Sequence, residues 1–380
     1  MQTAPNAPLV TSSLWATGKQ RLLSLDVMRG LIMLLLAAES ARLYERLQHL
    51  AEGSIAEHIT RQFFHHPWHG LLAWDLVQPA FMTMAGTAMY ISFSNKKKKG
   101  INWSDNLPHV LWRCLKLLIA GVALHCVYAG KLVWELWNVL TQLSVTTLVA
   151  YLVIQRSWKF QLFLCVLILI VADLMYRFIL VPGFDQPFVE YHNFGAYMDT
   201  VFMGKINQDG WVTINFISTS VHTVAGCLIG MLLLSNYTEN RKVIYLLAAG
   251  AICLLFGYGI DLAGGTPIIK RIATSTFVLA SAGWVLWITA LLYWMIDIKK
   301  QNRYSWVFVV IGMNPIFIYL LFETVGHQWV NKTVALFVQG FLSWLTTPLV
   351  YQEIASSLAT LLLYWGICYF LYKRRIFIKL

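Results

Sequence analysis

Apolar runs of about 20 residues recur along the whole chain, separated by short polar or basic stretches. An α-helix rises about 1.5 Å per residue, so about 20 residues carry it across roughly 30 Å of hydrocarbon. Of the 380 residues, 58% are hydrophobic and 12% are charged. A soluble domain carries about twice that charge. The mean hydropathy of +0.60 points the same way. The expected fold class is an all-α polytopic membrane protein.

Read in order, the chain predicts ten helices, at about 24–46, 70–94, 109–129, 136–155, 160–181, 213–234, 243–262, 272–296, 304–323 and 352–372. Residues 1–22 form a polar tail without the apolar core and small-residue cleavage site of a signal peptide, so the first helix is expected to stay in the mature protein. Residues 23–380 then form one transmembrane domain, with long loops at about 47–69, 182–212 and 324–350. The last of these is apolar enough for a short interfacial or re-entrant helix. No internal repeat is evident, which removes the best sequence support for an inverted-repeat transporter.

The net charge of +11 does not point to nucleic acid, because basic residues gather at alternate loop positions: Lys96–Lys99, Arg156 with Lys159, Arg241 with Lys242, Lys299 with Lys300 and Arg303, and Lys373–Arg375 with Lys379. All but nine of the 29 Lys and Arg fall on that side, the exceptions being Arg42, Arg46, Arg61, Lys131, Arg177, Lys205, Lys270, Arg271 and Lys332. Under the positive-inside rule this places both termini in the cytoplasm and the three long loops outside. The six cysteines all lie in apolar runs with no paired spacing, which suits packing rather than disulfides or metal ligation.

One stretch concentrates the chemistry: FFHHPWHGLLAWDLVQPAFMTMAG, from Phe63 to Gly86. His65, His66 and His69 sit just ahead of a membrane-length segment, and imidazole is the side chain best tuned to move protons near neutral pH. Asp75 falls one to two turns inside the expected helix with no basic residue within a turn, a costly position that argues for a polar contact inside the bundle. Glu39, toward the outer end of the first helix, is placed to orient an imidazole, with a snorkelling pair to Arg42 as the simpler reading. Asp26 and Arg29 lie one turn apart at the inner start of that helix, either as a local i, i+3 pair or as a hold for an anionic, phosphate-bearing donor. Lys270 and Arg271 break the charge rule, and with Thr274, Ser275 and Thr276 they make a basic, hydroxyl-rich turn that calls for a specific partner. Asn314 precedes Pro315 in mid-helix, where the proline frees a carbonyl. His125, Asp173, His222 and Asp261 are read as helix–helix hydrogen bonds. No HExxH spacing or cysteine partner favours a metal, so none is expected.

These segments together resemble a known family. RLLSLDVMRGLIML (Arg21–Leu34), HHPWHGLLAWDLVQPAFMTMAG (His65–Gly86), PIIKRIATSTFVLASAG (Pro267–Gly283) and GMNPIFIY (Gly312–Tyr319) are similar, in order along the chain, to the motifs of the heparan-α-glucosaminide N-acetyltransferase-like membrane acetyltransferases. HNFGAYMDTVFMGK and GWVTINFIS are most similar to its bacterial branch associated with N-acetylglucosamine use. The resemblance covers the family's membrane core. It implies an acetyl-CoA-dependent transferase in a bacterial inner membrane that moves acetyl from cytosolic acetyl-CoA to an amino sugar of glucosamine type on the periplasmic side. It further implies a homodimer, and a catalytic histidine three residues before the tryptophan, here His65, with His66 and His69 as neighbours. Glu39 and Ser40 stand near the place of an asparagine in the lysosomal member, which makes Glu39 its expected replacement, and Asp75 completes the catalytic set. Trp68, Lys270, Ser275, Thr276 and Asn314 are expected on the acceptor and oxyanion side, and Asp26 and Arg29 at the donor. The histidine acts either as general base or as acetyl carrier. The other readings are a glycan O-acyltransferase and a sugar transporter, whose polar groups would line one path near the bilayer midplane.

Overall fold

The computed structural model describes residues 22–378, and the expected polar tail up to Arg21 and the terminal Lys379 lie outside them. Among the described residues every regular element is helical. In chain order they are α1 (Leu23–Ser40), α2 (Leu43–Ala51), α3 (Ala56–Thr60), α4 (Val77–Lys97), α5 (Trp103–Ala129), α6 (Val139–Val153), α7 (Trp158–Phe178), α8 (Phe194–Met203), α9 (Phe216–Leu233), α10 (Glu239–Leu262), α11 (Ser275–Leu292), α12 (Ser305–Gly312), α13 (Pro315–Leu321), α14 (Asn331–Ser343) and α15 (Leu349–Lys373). π-helical turns extend α11 over Tyr293–Ile298 and join α13 to α14 over Phe322–Val330.

Six helices among the described residues are long and apolar enough to cross a membrane. They are Trp103–Ala129, Trp158–Phe178, Thr213–Leu233, Glu239–Leu262, Ser275–Ile298 and Leu349–Lys373. A seventh is gained if the bent pair Ser305–Gly312 and Pro315–Ser343 counts as one span. The ten expected segments are each helical, but α6 is short, α1 carries the charged residues Asp26, Arg29 and Glu39, and α4 is less apolar than a lone span. Both α1 and α4 bury polar or small residues, such as Ser24, Asp26, Thr83 and Thr87, against neighbouring helices.

The bend of 74° falls at Asn314–Pro315, where the sequence places a proline inside the ninth apolar run. Proline lacks the N–H that would continue the helix, so it opens a new one instead. Beyond it the chain stays helical to Ser343, and the expected 324–350 loop is thus a continuation of a bent helix. The other two expected long loops also carry helix, α2 and α3 in the first and α8 in the second.

Helix packing in lipid depends on close fit rather than on expulsion of water, so small residues mark the crossings. At the α4–α9 crossing a Cβ on Gly86 would stand 1.9 Å from Thr223 O, and one on Gly226 would stand 2.1 Å from Thr83 O. Thr87 Oγ1 donates to Gly226 O at 3.0 Å across the same crossing. This holds the helix that follows the histidine loop against the centre of the bundle. The main apolar core joins α1, α4, α9, α11, α12 and α15 around Met33, Ala37, Val285 and Tyr364. All six cysteines are free.

Candidate active site

The segment before α4 turns back on itself. Phe64 is extended, Gly70 has φ +144°, and Gly70 N–H donates to Ile268 O at 2.8 Å while His69 bridges to Ile269. These bonds stitch the histidine loop to the Pro267–Thr276 turn. Gly70 has no Cβ because the His66 ring lies over it, and an added Cβ would meet His66 Nε2 at 2.5 Å. Asp75 sits in the 3-10 turn Ala73–Leu76 that leads into α4, rather than inside the helix as expected. From there its carboxylate reaches back over the loop it terminates.

Asp75 is fully buried and receives donors on both oxygens. Oδ2 accepts the N–H groups of Leu72 at 2.9 Å and His66 at 3.2 Å. Oδ1 lies 3.0 Å from His65 Nδ1 and 3.2 Å from Lys270 Nζ. Burial opposes the charge, but the His65 hydrogen bond, the Lys270 ammonium and the Leu72 N–H together hold the carboxyl below its usual range. No basic residue stands within a turn of Asp75 in sequence; the structure supplies Lys270 from the far turn.

Lys270 is oriented by its own tight turn. Lys270 O accepts Ala273 N–H at 2.9 Å, Ala273 takes φ +50°, and Thr274 caps α11 through Phe277 N–H. The ammonium is 5% exposed, lies 2.9 Å from His65 Nδ1, and stands over the Trp211 ring at 5.6 Å. Burial lowers its pKa, with Asp75 opposing.

His65 Nδ1 therefore has two partners and one hydrogen-bonding site. With Nδ1–H donating to Asp75, Lys270 pairs with the same carboxylate and Nε2 keeps its lone pair. With Lys270 donating to Nδ1, the ring proton moves to Nε2 and the ring is no longer a base on its free side. Burial first, then the Lys270 ammonium, lowers the His65 pKa against the pull of Asp75, which favours a neutral ring. The side chain is 40% exposed, and that exposure faces a cavity.

This cavity is about 300 Å³. Besides His65 and Lys270 it is lined by Glu39, Gln78, His125, Tyr128, Gln142 and Glu323, with Trp74, Trp137 and Trp211 among its aromatic walls. Gln142 donates to Asn215 Oδ1 at 2.7 Å and accepts from Gln78, tying α4, α6 and the start of α9 together behind it. Glu323 projects from the π-helical stretch after α13, and Tyr128 donates to it.

A second cavity of about 370 Å³ lies along the C-terminal half of α4 and the first half of α5. Arg29, Lys96, His109 and Arg113 converge on it, with Ser92, Thr147 and Tyr151 as further polar groups. Phe81 and Ile316 line both cavities, so the two share a wall. Four basic side chains in one concave site form a natural holder for an anionic, phosphate-bearing molecule.

The sequence-derived site residues separate cleanly. His65, Asp75, Lys270 and Glu39 come together, although it is Asp75 and not Glu39 that holds the His65 ring. Arg29 lines the second cavity with Asp26 beside it at 3.5 Å. His66 contributes its backbone N–H to Asp75 but its ring is against Gly70, and His69 Nε2 binds Asp261 at 2.7 Å away from the cavity. Trp68 donates to Phe188 O at 2.8 Å within a separate aromatic cluster. Ser275 donates to Asp173, Thr276 to Pro267 O at 2.9 Å, and none of the three lines the cavity. Asn314 donates to Ile376 O at 3.0 Å and accepts Ile378 N–H at 2.8 Å, fastening the C-terminal strand of chain to the helix break. Sequence reasoning missed Trp137, Trp211, Glu323, Lys96, His109 and Arg113, whose residue types alone carry no signal. It also reads His125 as a helix–helix hydrogen bond, whereas its partner Glu135 lies in the loop after α5.

The catalytic-region family model for heparan-alpha-glucosaminide N-acetyltransferase matches residues 21–189. The curated protein of that name from Mus musculus is 24% identical over 387 aligned residues, covering 84% of this chain and 56% of its own. The Homo sapiens protein is 23% identical over 389 residues, with the same two coverages. The chain thus spans about half the length of the curated relatives it matches. The first two of the four motif segments, Arg21–Leu34 and His65–Gly86, lie inside the matched region, so the chain is similar to the heparan-alpha-glucosaminide N-acetyltransferase family over residues 21–189.

Proposed function

We propose that this protein is a transmembrane N-acetyltransferase that moves the acetyl group of cytosolic acetyl-CoA to the amine of a glucosamine-type sugar. The observation that carries the reading is the shared wall: a histidine–carboxylate–lysine cluster opens into one cavity, and a basic cavity adjoins it across Phe81 and Ile316. Acetyl-CoA is too polar and anionic to cross a bilayer. Its phosphates would rest among Arg29, Lys96, His109 and Arg113, and its pantetheine arm would carry the thioester past Phe81 and Ile316 toward His65. In this reading the chain crosses a bacterial inner membrane ten times with both termini in the cytoplasm, the His65 cavity faces the periplasm, and the family resemblance adds a homodimer.

The chemistry follows from the neutral ring. With Nδ1–H held by Asp75, His65 Nε2 accepts the proton released as the sugar's neutral amine nitrogen bonds to the thioester carbonyl carbon. The oxyanion of the tetrahedral intermediate forms in the field of the buried Lys270 ammonium. The C–S bond then breaks, and His65 returns the proton to the departing sulfur. An N-acetyl sugar and free CoA result. Glu39 and Glu323 line one side of the cavity and offer carboxyl oxygens to the amine and hydroxyls of the acceptor.

The test is acetyl transfer to glucosamine by the purified protein in nanodiscs. N-acetylglucosamine formed in step with free CoA supports the reading. Absence of transfer together with absence of acetyl-CoA binding contradicts it.

A further inference from the structure

The wall of the His65 cavity holds a second histidine–carboxylate pair. His125, on α5, places Nδ1 2.8 Å from Glu135 Oε2, and Lys205 pairs with the other oxygen of Glu135. His125 Nε2 is buried and has no hydrogen-bond partner, and the residue lines the cavity. A buried ring nitrogen without a partner is uncommon and costly, so such a group is a natural seat for a ligand atom. With Nδ1–H given to Glu135, Nε2 carries a lone pair and seeks a donor.

The surroundings suit a sugar ring. Trp137 stands edge-on to His125 with ring centroids 6.3 Å apart. Its indole N–H donates to Asp199 Oδ2 at 2.7 Å, which fixes its angle. Trp211 presents a second aromatic wall beside His65. Asp199, Lys205 and Trp211 all belong to the segment between α7 and α9, so one loop braces the two histidine-side walls at once. Flat apolar rings with a few placed polar groups are the usual makeup of a small-molecule site.

Resting on the acetyltransferase reading, we propose that His125 is the acceptor-binding residue of this cavity, taking a hydrogen bond at Nε2 from one hydroxyl of a hexosamine whose ring lies against Trp137 and Trp211. Glu135 is a positioning residue that sets the tautomer, and Lys205 holds Glu135. His65 and His125 thus divide the work: the first handles the amine proton and the second fixes the sugar.

The experiment measures acetyl transfer with glucosamine and its monodeoxy analogues in nanodiscs. His125→Ala raises the acceptor KM about tenfold, while the acetyl-CoA affinity, read by equilibrium binding, stays within about twofold. His125→Gln, whose amide oxygen also accepts a hydroxyl proton, recovers part of the loss. One deoxy sugar loses about tenfold with the natural protein and nothing further with His125→Ala. An unchanged acceptor KM, or a deoxy series that loses equally with both proteins, overturns the proposal. If the natural protein transfers no acetyl group, glucosamine binding by tryptophan fluorescence decides the site, and the acetyltransferase reading falls separately when acetyl-CoA binding is absent too. Binding that His125→Ala weakens about tenfold supports the site, and no binding or equal binding overturns it.

Discussion

His65 and Lys270 stand 205 positions apart in the chain, yet the lysine nitrogen lies 2.9 Å from the imidazole Nδ1. Two cations-in-waiting at that distance tolerate each other because Asp75 lies against both. Asp75 pairs with Lys270 as well as with the ring, and burial together with the neighbouring ammonium favours a neutral His65 that can act as a base.

Replacing Lys270 should therefore change the pH profile as well as the rate. Base catalysis needs neutral His65, so activity is lost as pH falls through the His65 pKa. Burial and the Lys270 ammonium hold that pKa below 6.5. Lys270→Met removes the ammonium and leaves Asp75, so the His65 pKa rises and the acid limb of kcat moves up by about one pH unit. A limb that stays in place would remove Lys270 from the control of His65.

The Asp75–Lys270 pair is also a folding element. Asp75→Ala leaves an ammonium that is 5% exposed without its counter-ion. Breaking a buried pair from one side costs about 3 kcal/mol or more. The single variant should melt well below the natural protein, and Asp75→Ala with Lys270→Met should recover most of the loss. Equal melting of the single and double variants would show that the pair is not what holds the two loops together.

Arg113 and Arg29 should act on the donor alone. Both line the basic cavity, and neither lines the His65 cavity. Arg113→Ala and Arg29→Ala should each raise the acetyl-CoA KM about tenfold, as expected for loss of a charge-assisted hydrogen bond. The acceptor KM should hold steady. A rise in acceptor KM of the same size would mean that the two cavities are not separate sites.

Much of this arrangement is legible in the sequence, and what is not has physical causes. Apolar run length placed the helices because hydrocarbon thickness sets it, and Pro315 marked a break because it lacks an N–H. Lys270 drew attention as a cation against the charge rule. Its partner stayed hidden, since Asp75 and Lys270 meet only after the Gly70–Ile268 and His69–Ile269 bonds align two distant loops. Ser275 and Thr276 were expected at the substrate from their hydroxyls, but those hydroxyls serve the α7–α11 contact and the Pro267 turn. His125 reads in the sequence as a helix–helix hydrogen bond, because its carboxylate partner, Glu135, lies across a loop whose shape the residues do not announce. The shared wall of Phe81 and Ile316 is a matter of shape alone, and no residue type signals it.

The α4–α9 crossing should fail if it is filled. Gly226→Val places side-chain atoms where a Cβ already meets Thr83 O at 2.1 Å. Overpacking of this kind costs about 1–3 kcal/mol. Melting of the detergent-solubilised protein should fall by several degrees, and an unchanged melting temperature would show that the two helices do not need this close approach.

Whether His65 carries the acetyl transfer is decided by where a labelled acetyl group goes. Purified protein in nanodiscs is given acetyl-CoA labelled in its acetyl group, with and without glucosamine, for the natural chain and for His65→Ala. Label is expected on the sugar amine with the natural chain only, while His65→Ala still binds acetyl-CoA. Label held on the protein before sugar is added would assign His65 the carrier course instead of the base. Label on the sugar at comparable rate with His65→Ala would remove His65 from the transfer.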